Sequence, residues 1–304
     1  MPVRSLPLAL VTLLVAGCSA SDESVTPRAQ DLAVAESDAS VAVSFDRLTA
    51  ALEAAGPVGI VAEVDHRAKA SGAGLDLRPT RVVLFGNPAL GTPLMQANPQ
   101  AGLDLPQKML VYEDPEGRTF VAHNTTGYLS ARHGVGSVGT LSQIEEALRT
   151  FASTAVGSEL PVPASATPSV GRDEGVVTVE SANDAATTYA RLRSAVDANE
   201  NLTIVAELDH AANVASVGLS LDPTRLIVFG NPALGTPLMQ ARQTVGVDLP
   251  QKMLVYQNAA GDVFVAYNDP AFLAARHRLG TPAQVETMRG ALAGLAATAA
   301  EADA

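Results

Sequence analysis

Tryptophan is absent from the chain, aromatic residues make up only 4% of it, and a single cysteine, Cys18, stands near its start. One cysteine cannot close an internal disulfide, and it leaves no cysteine pair for a zinc site. Basic residues are also scarce: 20 Lys and Arg face 32 Asp and Glu, a formal net charge of -12. That balance argues against a nucleic-acid partner, because phosphate binding needs a basic face that releases counterions. No basic amphipathic stretch supports adsorption to an anionic membrane either. H-E-x-x-H, the G-x-S-x-G elbow and the Walker loop are all missing, which removes the usual sequence support for metal, hydrolase and nucleotide chemistry. "GVGSVG" at Gly134 to Gly139 satisfies a dinucleotide pattern, yet it follows a helical stretch and the second half of the chain does not repeat it. What is present, 47% hydrophobic residues in 304, suffices for two ordinary cores.

The longest apolar run near the start, "LPLALVTLLVAG" after Arg4, is too short to span a bilayer. It closes on Cys18, and "VAGC" resembles the bacterial lipobox, in which a signal peptidase cuts before a cysteine that carries a diacylglycerol. Residues 1–17 therefore read as a lipoprotein signal peptide and residues 18–30, polar and containing Pro27, as a tether. The resemblance implies a membrane-anchored envelope protein attached through Cys18. Ser19 in place of aspartate favours the outer membrane in a cell that has one.

Beyond the tether the chain repeats itself at an offset of 144 residues. "FGNPALGTPLMQA" occurs at Phe85 to Ala97 and letter for letter at Phe229 to Ala241, and "DLPQKMLVY" at Asp104 and Asp248. "VAEVDH" at Val61 answers "VAELDH" at Val205, and "ARH" recurs at Ala131 and Ala275. Past that point "HGVGSVGT" faces the shorter "HRLGT", so the register is expected to slip by three. The period exceeds that of solenoid repeats, and each unit is a domain, 31–151 and 175–300. Residues 152–174, rich in Pro, Ser, Ala and Gly, read as an extended linker.

Within each unit Val41, Phe45, Leu48 and Leu52, and again Ala185, Tyr189, Leu192 and Val196, recur at helical spacing and form one apolar stripe. "LTIVAELDH", "TRLIVFG", "QKMLVYQ" and "DVFVAYN" read as strands, the last two joined as a hairpin at "NAAG". Thr236 with Pro237 reads as a helix start, as do Asp269 with Pro270 and the box "TPAQ" at Thr281. The fold class expected is α+β: two repeated domains, each a mostly antiparallel sheet with helices on one face.

"FGNPALGTPLMQA", "DLPQKMLVY", "YNDPAFLAARH" and "AELDH" are similar to the bacterial and archaeal family of domain of unknown function 302. The resemblance implies a compact α+β fold and pairing of two domains, here as a pseudo-twofold pair within one chain. It implies no activity, and any cofactor is left unknown. The first copy departs from the pattern by carrying "HNTT" where the second has "YNDP".

Candidate ligand-binding residues are polar positions shared by both copies. Asn87 and Asn231 open glycine-containing loops whose amides could face an anionic or carbonyl ligand, or they make rigid turns. Asp65 with His66, and Asp209 with His210, offer acid, base or metal-ligand chemistry at a strand end, or a solvated face. Lys108 and Lys252 alternate with apolar residues on a strand and either snorkel to solvent or lie in a pocket that lowers the pKa. His133 and His277, each beside an arginine, complement the negative end of a helix or bind a ligand. Met239 with His277 is a further candidate for soft copper ligation, although methionine also fills cores. The reading that follows is a small-molecule or partner binding module. Its rivals are a hydrolytic enzyme using His210, Asp209, Lys252 and Asn231, and a purely structural envelope protein. A site of either kind, binding or hydrolytic, would bring Asn231, Lys252 and His277 into one concavity; on separate faces they would leave the structural reading.

Overall fold

The computed structural model describes residues 1, 30–162, 167–215 and 217–302. Cys18, the apolar run before it and nearly all of the tether lie outside the described residues.

The first repeat runs β1 (Leu32–Ser37), α1 (Val41–Ala54), β2 (Gly59–Asp65), α2 (His66–Gly72), β3 (Thr80–Gly86) and α3 (Pro88–Ala97). A 3-10 turn (Pro99–Leu103), β4 (Gln107–Glu113), β5 (Thr119–Asn124), α4 (Thr126–His133) and α5 (Leu141–Val156) complete it. The second repeat matches it element for element: β6 (Val176–Ser181), α6 (Ala185–Asp197), β7 (Thr203–Asp209), α7 (His210–Ala215), β8 (Thr224–Gly230) and α8 (Pro232–Ala241). A 3-10 turn (Gln243–Val247), β9 (Gln251–Gln257), β10 (Val263–Asn268), α9 (Pro270–Arg276) and α10 (Ala283–Ala300) follow. Each sheet has five strands, ordered β1-β5-β4-β3-β2 and β6-β10-β9-β8-β7, and all neighbours are antiparallel.

The strands are apolar on both faces, and each face has its own task. Val83, Phe85, Met109 and Val111 point to α1 and α5, where Phe45, Leu48, Leu52 and Leu148 close the first core. Alternate residues Val82, Leu84 and Leu110 point the other way and meet Leu226, Val228 and Leu254 of the second sheet. The molecule is thus four layers, helices outside and two sheets face to face, related by a pseudo-twofold axis.

Several local expectations are corrected by the structure. The 144-residue offset does not slip, since Asp38 N donates to Val156 O and Ala182 N to Ala300 O at corresponding places. What changes is the helix start, and Pro282 caps α10 without the side-chain bonds expected of "TPAQ". Thr236 and Pro237 lie inside α8, whose start is Asn231 with Pro232 in the first turn. A bulge between Ile204 and Ala206 breaks the alternation of β7, so Ile204 faces the helices while Ala206 and Leu208 face the other sheet. The presumed linker begins late, because α5 continues to Val156. Its far end is also docked: Val170 is buried against Tyr128 and Leu129, and Asp173 N donates to Arg132 O.

Candidate functional site

The two copies of "FGNPALGTPLMQA" carry the chain from the central part of each sheet into α3 and α8. Asn87 and Asn231 are helix caps, each accepting an amide bond, from Ala89 and Ala233 at 3.0 and 2.9 Å. The two helices press against the opposite repeat, α3 on α7 and α8 on α2. Gln96 Nε2 donates to Ser220 O at 2.8 Å, and Gln240 Nε2 to Asp76 O at 2.6 Å. The repeated loop is therefore an interface element, and its terminal glutamine has a partner in the other copy.

Beside each loop lies a cavity walled by both repeats. The first, about 190 Å³, is bounded by Asn87, Thr92, Met95, Gln107 and the helix residues Ile144 and Phe151 of its own repeat, and by Leu208 and His210 of the other. The second, about 100 Å³, takes Asn231, Thr236, Met239, Gln251 and Met288 from the second repeat and Val64, His66 and Lys69 from the first. The histidine that shares each cavity with the asparagine thus comes from the other copy. Burial lowers the pKa of His66 and of His210 from 6.5 to about 4, so both imidazoles are neutral at pH 7. His66 Nε2 carries its proton toward Gly246 O, 3.1 Å away. Asp65 and Asp209 turn away from these rings to cap α2 and α7, accepting from Ala68 N and Ala212 N at 2.9 Å.

Two polar groups recur in the cavity walls without any hydrogen-bond partner. They are the hydroxyls of Thr92 and Thr236 and the amide nitrogens of Gln107 and Gln251. Gln251 Oε1 is unpartnered as well. All four residues are more than nine-tenths buried.

Lys108, Lys252, His133 and His277 belong to a separate cluster between the sheets. Asp104 Oδ2 accepts from Arg132 Nη1 at 2.7 Å and His133 Nε2 at 2.9 Å, and Asp248 Oδ2 accepts from Arg276 and His277 at the same distances. Lys108 Nζ joins the two halves, 3.5 Å from Asp104 Oδ1 and 3.4 Å from Asp248 Oδ1. Both aspartates and both lysines are buried, so these lysines do not snorkel to solvent. Burial alone would raise the aspartate pKa, but the arginine, the lysine and the histidine hydrogen bond hold both carboxyls well below the usual range. For Lys252, burial and the charge of Lys108 push the ammonium down to about 7. The symmetry is incomplete. Arg276 Nη2 donates to Asn124 Oδ1 at 2.7 Å, whereas the corresponding Arg132 Nη2 and Asn268 Oδ1 are both unpartnered.

Asn231, Lys252 and His277 consequently do not share one concavity: the first lines a cavity, while the others hold the centre of the interface, so the site expected from these three residues is not formed. Nor do His210 and Asn231 meet, since they line different cavities. Met239 walls the second cavity while His277 uses both ring nitrogens on Asp248 and Thr244. Among the described residues no group of three His, Cys, Asp or Glu side chains is placed to hold a metal. Reasoning within one copy missed Asp104, Asp248, Thr92 and Gln107. All four lie inside the strings repeated verbatim, which was the available signal.

Residues 33–155 and 177–295 each match the family described as domain of unknown function DUF302. The chain belongs to that family. A solved DUF302 protein from Bacillus stearothermophilus is similar at 21% identity and a TM-score of 0.36, over 41% of this chain and 98% of its own. Stretches 43% identical over 113 residues occur in proteins named fluoride-specific ion channel FluC 1, from Brucella suis and Brucella abortus. They cover 37% of this chain and 44% and 42% of those proteins, so the DUF302 chain spans less than half the length of these curated relatives. Among the described residues of this chain no helix is long and apolar enough to cross a membrane.

Proposed function

We propose that this tandem DUF302 protein is a lipid-anchored envelope protein that binds a small molecule in the cavities between its two repeats. The observation that carries the binding reading is that each cavity is walled by both repeats and bordered by the loop repeated verbatim. Predominantly apolar clefts with a few convergent polar groups are the usual form of a small-molecule site. The hydrolytic alternative draws no support from the geometry, because His210 and Asn231 line different cavities, Lys252 lies in the central cluster and Asp209 caps α7. Native mass spectrometry of the protein purified from its own cells tests the binding reading: a retained small molecule is expected, and its loss on filling both cavities with Gly91→Phe and Gly235→Phe. Release of the same molecule from the filled and unfilled proteins alike would count against it.

The envelope location rests on the lipobox-like "VAGC". The similar stretches in proteins named as ion channels fit work beside a membrane. Cells fed labelled palmitate should transfer label to the wild-type chain and not to Cys18→Ala, and the wild type should sediment with membranes. A soluble, unlabelled wild type would overturn the anchor.

A further inference from the structure

The cavities have a polar character more specific than their apolar walls suggest, and it recurs in both. Among the described residues no Asp, Glu, Lys or Arg lines the first cavity, and Lys69 is the one charged residue lining the second. The histidines of both are neutral at pH 7. A charged ligand entering the first cavity would lose its hydration without finding a counter-charge, which is costly in a desolvated site. Yet the walls are not purely apolar. At the same place in each cavity a threonine hydroxyl and a glutamine amide nitrogen are buried without partners. Buried polar groups are almost always satisfied, and the same pair left open in both copies marks a place where something else completes the bonding. Gln Nε2 can only donate, and the threonine hydroxyl can donate too, so one oxygen with two lone pairs satisfies both.

We infer that each cavity takes a small uncharged carbonyl compound, apolar over the rest of its surface. Its oxygen accepts from Gln107 Nε2 and the Thr92 hydroxyl in the first cavity, and from Gln251 Nε2 and the Thr236 hydroxyl in the second. This rests on the binding reading above and names its ligand class. The first cavity, about 190 Å³, is the roomier, and a dry cavity of roughly 150 Å³ is known to admit benzene. The first therefore accepts a ring of six or seven heavy atoms, and the second, about 100 Å³, a smaller molecule.

Ligand-observed NMR on the full chain with four probes of seven heavy atoms each tests this: cyclohexanone, methylcyclohexane, cyclohexylammonium and cyclobutanecarboxylate. Cyclohexanone should bind about tenfold more tightly than methylcyclohexane, the difference left by an unmade buried hydrogen bond, and the two ions should not compete. The double variant Thr92→Val with Gln107→Met keeps shape while removing the open polar groups. It should lose the preference for the ketone and unfold at the same or a higher temperature than wild type, because the two unpartnered groups of that pair are gone. Equal binding of ketone and hydrocarbon, or a preference that survives the double variant, would overturn the carbonyl assignment and leave the binding module standing. Absence of binding by all four probes, together with no retained molecule in the native protein, would remove both.

Discussion

Gly175 adopts φ +67, and a Cβ built on it would lie 2.0 Å from Phe272 Cγ. Its carbonyl accepts from Asp269 N, so it is tied to the start of α9 and cannot simply move away. Gly175→Ala should lower stability by roughly 2–4 kcal/mol, from overpacking plus left-handed backbone strain. Denaturant unfolding checks this, and pairing the change with Phe272→Ala should recover the overpacking part alone. At the same scale, His66 and His210 contribute to acid sensitivity. Unfolded histidine takes its proton near pH 6.5, whereas these two do so only near 4. Between those values the unfolded chain binds more protons, so stability present above pH 6.5 is lost as pH falls through 4. Denaturation midpoints measured at pH 7, 5.5 and 4 should decline in the wild type and decline less in His66→Gln.

At the scale of elements, α3 and α8 carry the clearest consequence. Helix propensity and capping account for Asn87, Pro88, Asn231 and Pro232, but they do not account for Gln96 and Gln240. Those glutamines bridge to the carbonyls of Ser220 and Asp76 in the opposite repeat. Gln96→Ala and Gln240→Ala should each cost about 0.5–1 kcal/mol, and the double variant about the sum, since the two bonds are formed independently. A pair of chemical denaturation curves decides it. The 3-10 turns act at the same level. Gly246 lets its turn approach the first sheet so closely that a Cβ there would be 3.0 Å from Leu110 Cδ1.

For the whole molecule, the inner sheet faces present Val82, Leu84 and Leu110 on one side and Leu226, Val228 and Leu254 on the other. Either repeat alone would expose its share of that surface, which a water-soluble domain does not leave bare. Residues 30–157 expressed alone should therefore form a homodimer with its sheets face to face. Light scattering at the elution peak should return twice the single-chain mass, and Leu110→Glu should return the single mass. The central cluster works at the same scale. Lys108 holds a carboxylate from each repeat, and Arg276 reaches Asn124 across the boundary. Breaking one such buried pair typically costs about 3–5 kcal/mol, because the abandoned charge stays buried. Asp248→Asn should unfold both repeats in one transition at a lower denaturant concentration.

The duplication, the α+β class, the apolar stripe of α1 and α6 and the helix start at Asp269 were legible in the residues alone. Each depends on local chemistry or on periodicity that a single strand or helix reveals by itself. The same reasoning placed Thr236 at a cap and let Lys252 reach solvent, because neither the neighbouring turn of helix nor the facing sheet is visible along one segment. Asp209 beside His210 offered acid and base chemistry, but adjacent strand residues point to opposite faces, and the carboxylate indeed caps a helix while the ring turns into a cavity. The candidate site was half legible: Asn87 and Asn231 do border the cavities, but their histidines come from the opposite copy. That pairing across copies is a property of the packing of two sheets at a pseudo-twofold axis. Residues 144 apart in the chain exchange partners there, and only the tertiary structure decides which repeat supplies each wall.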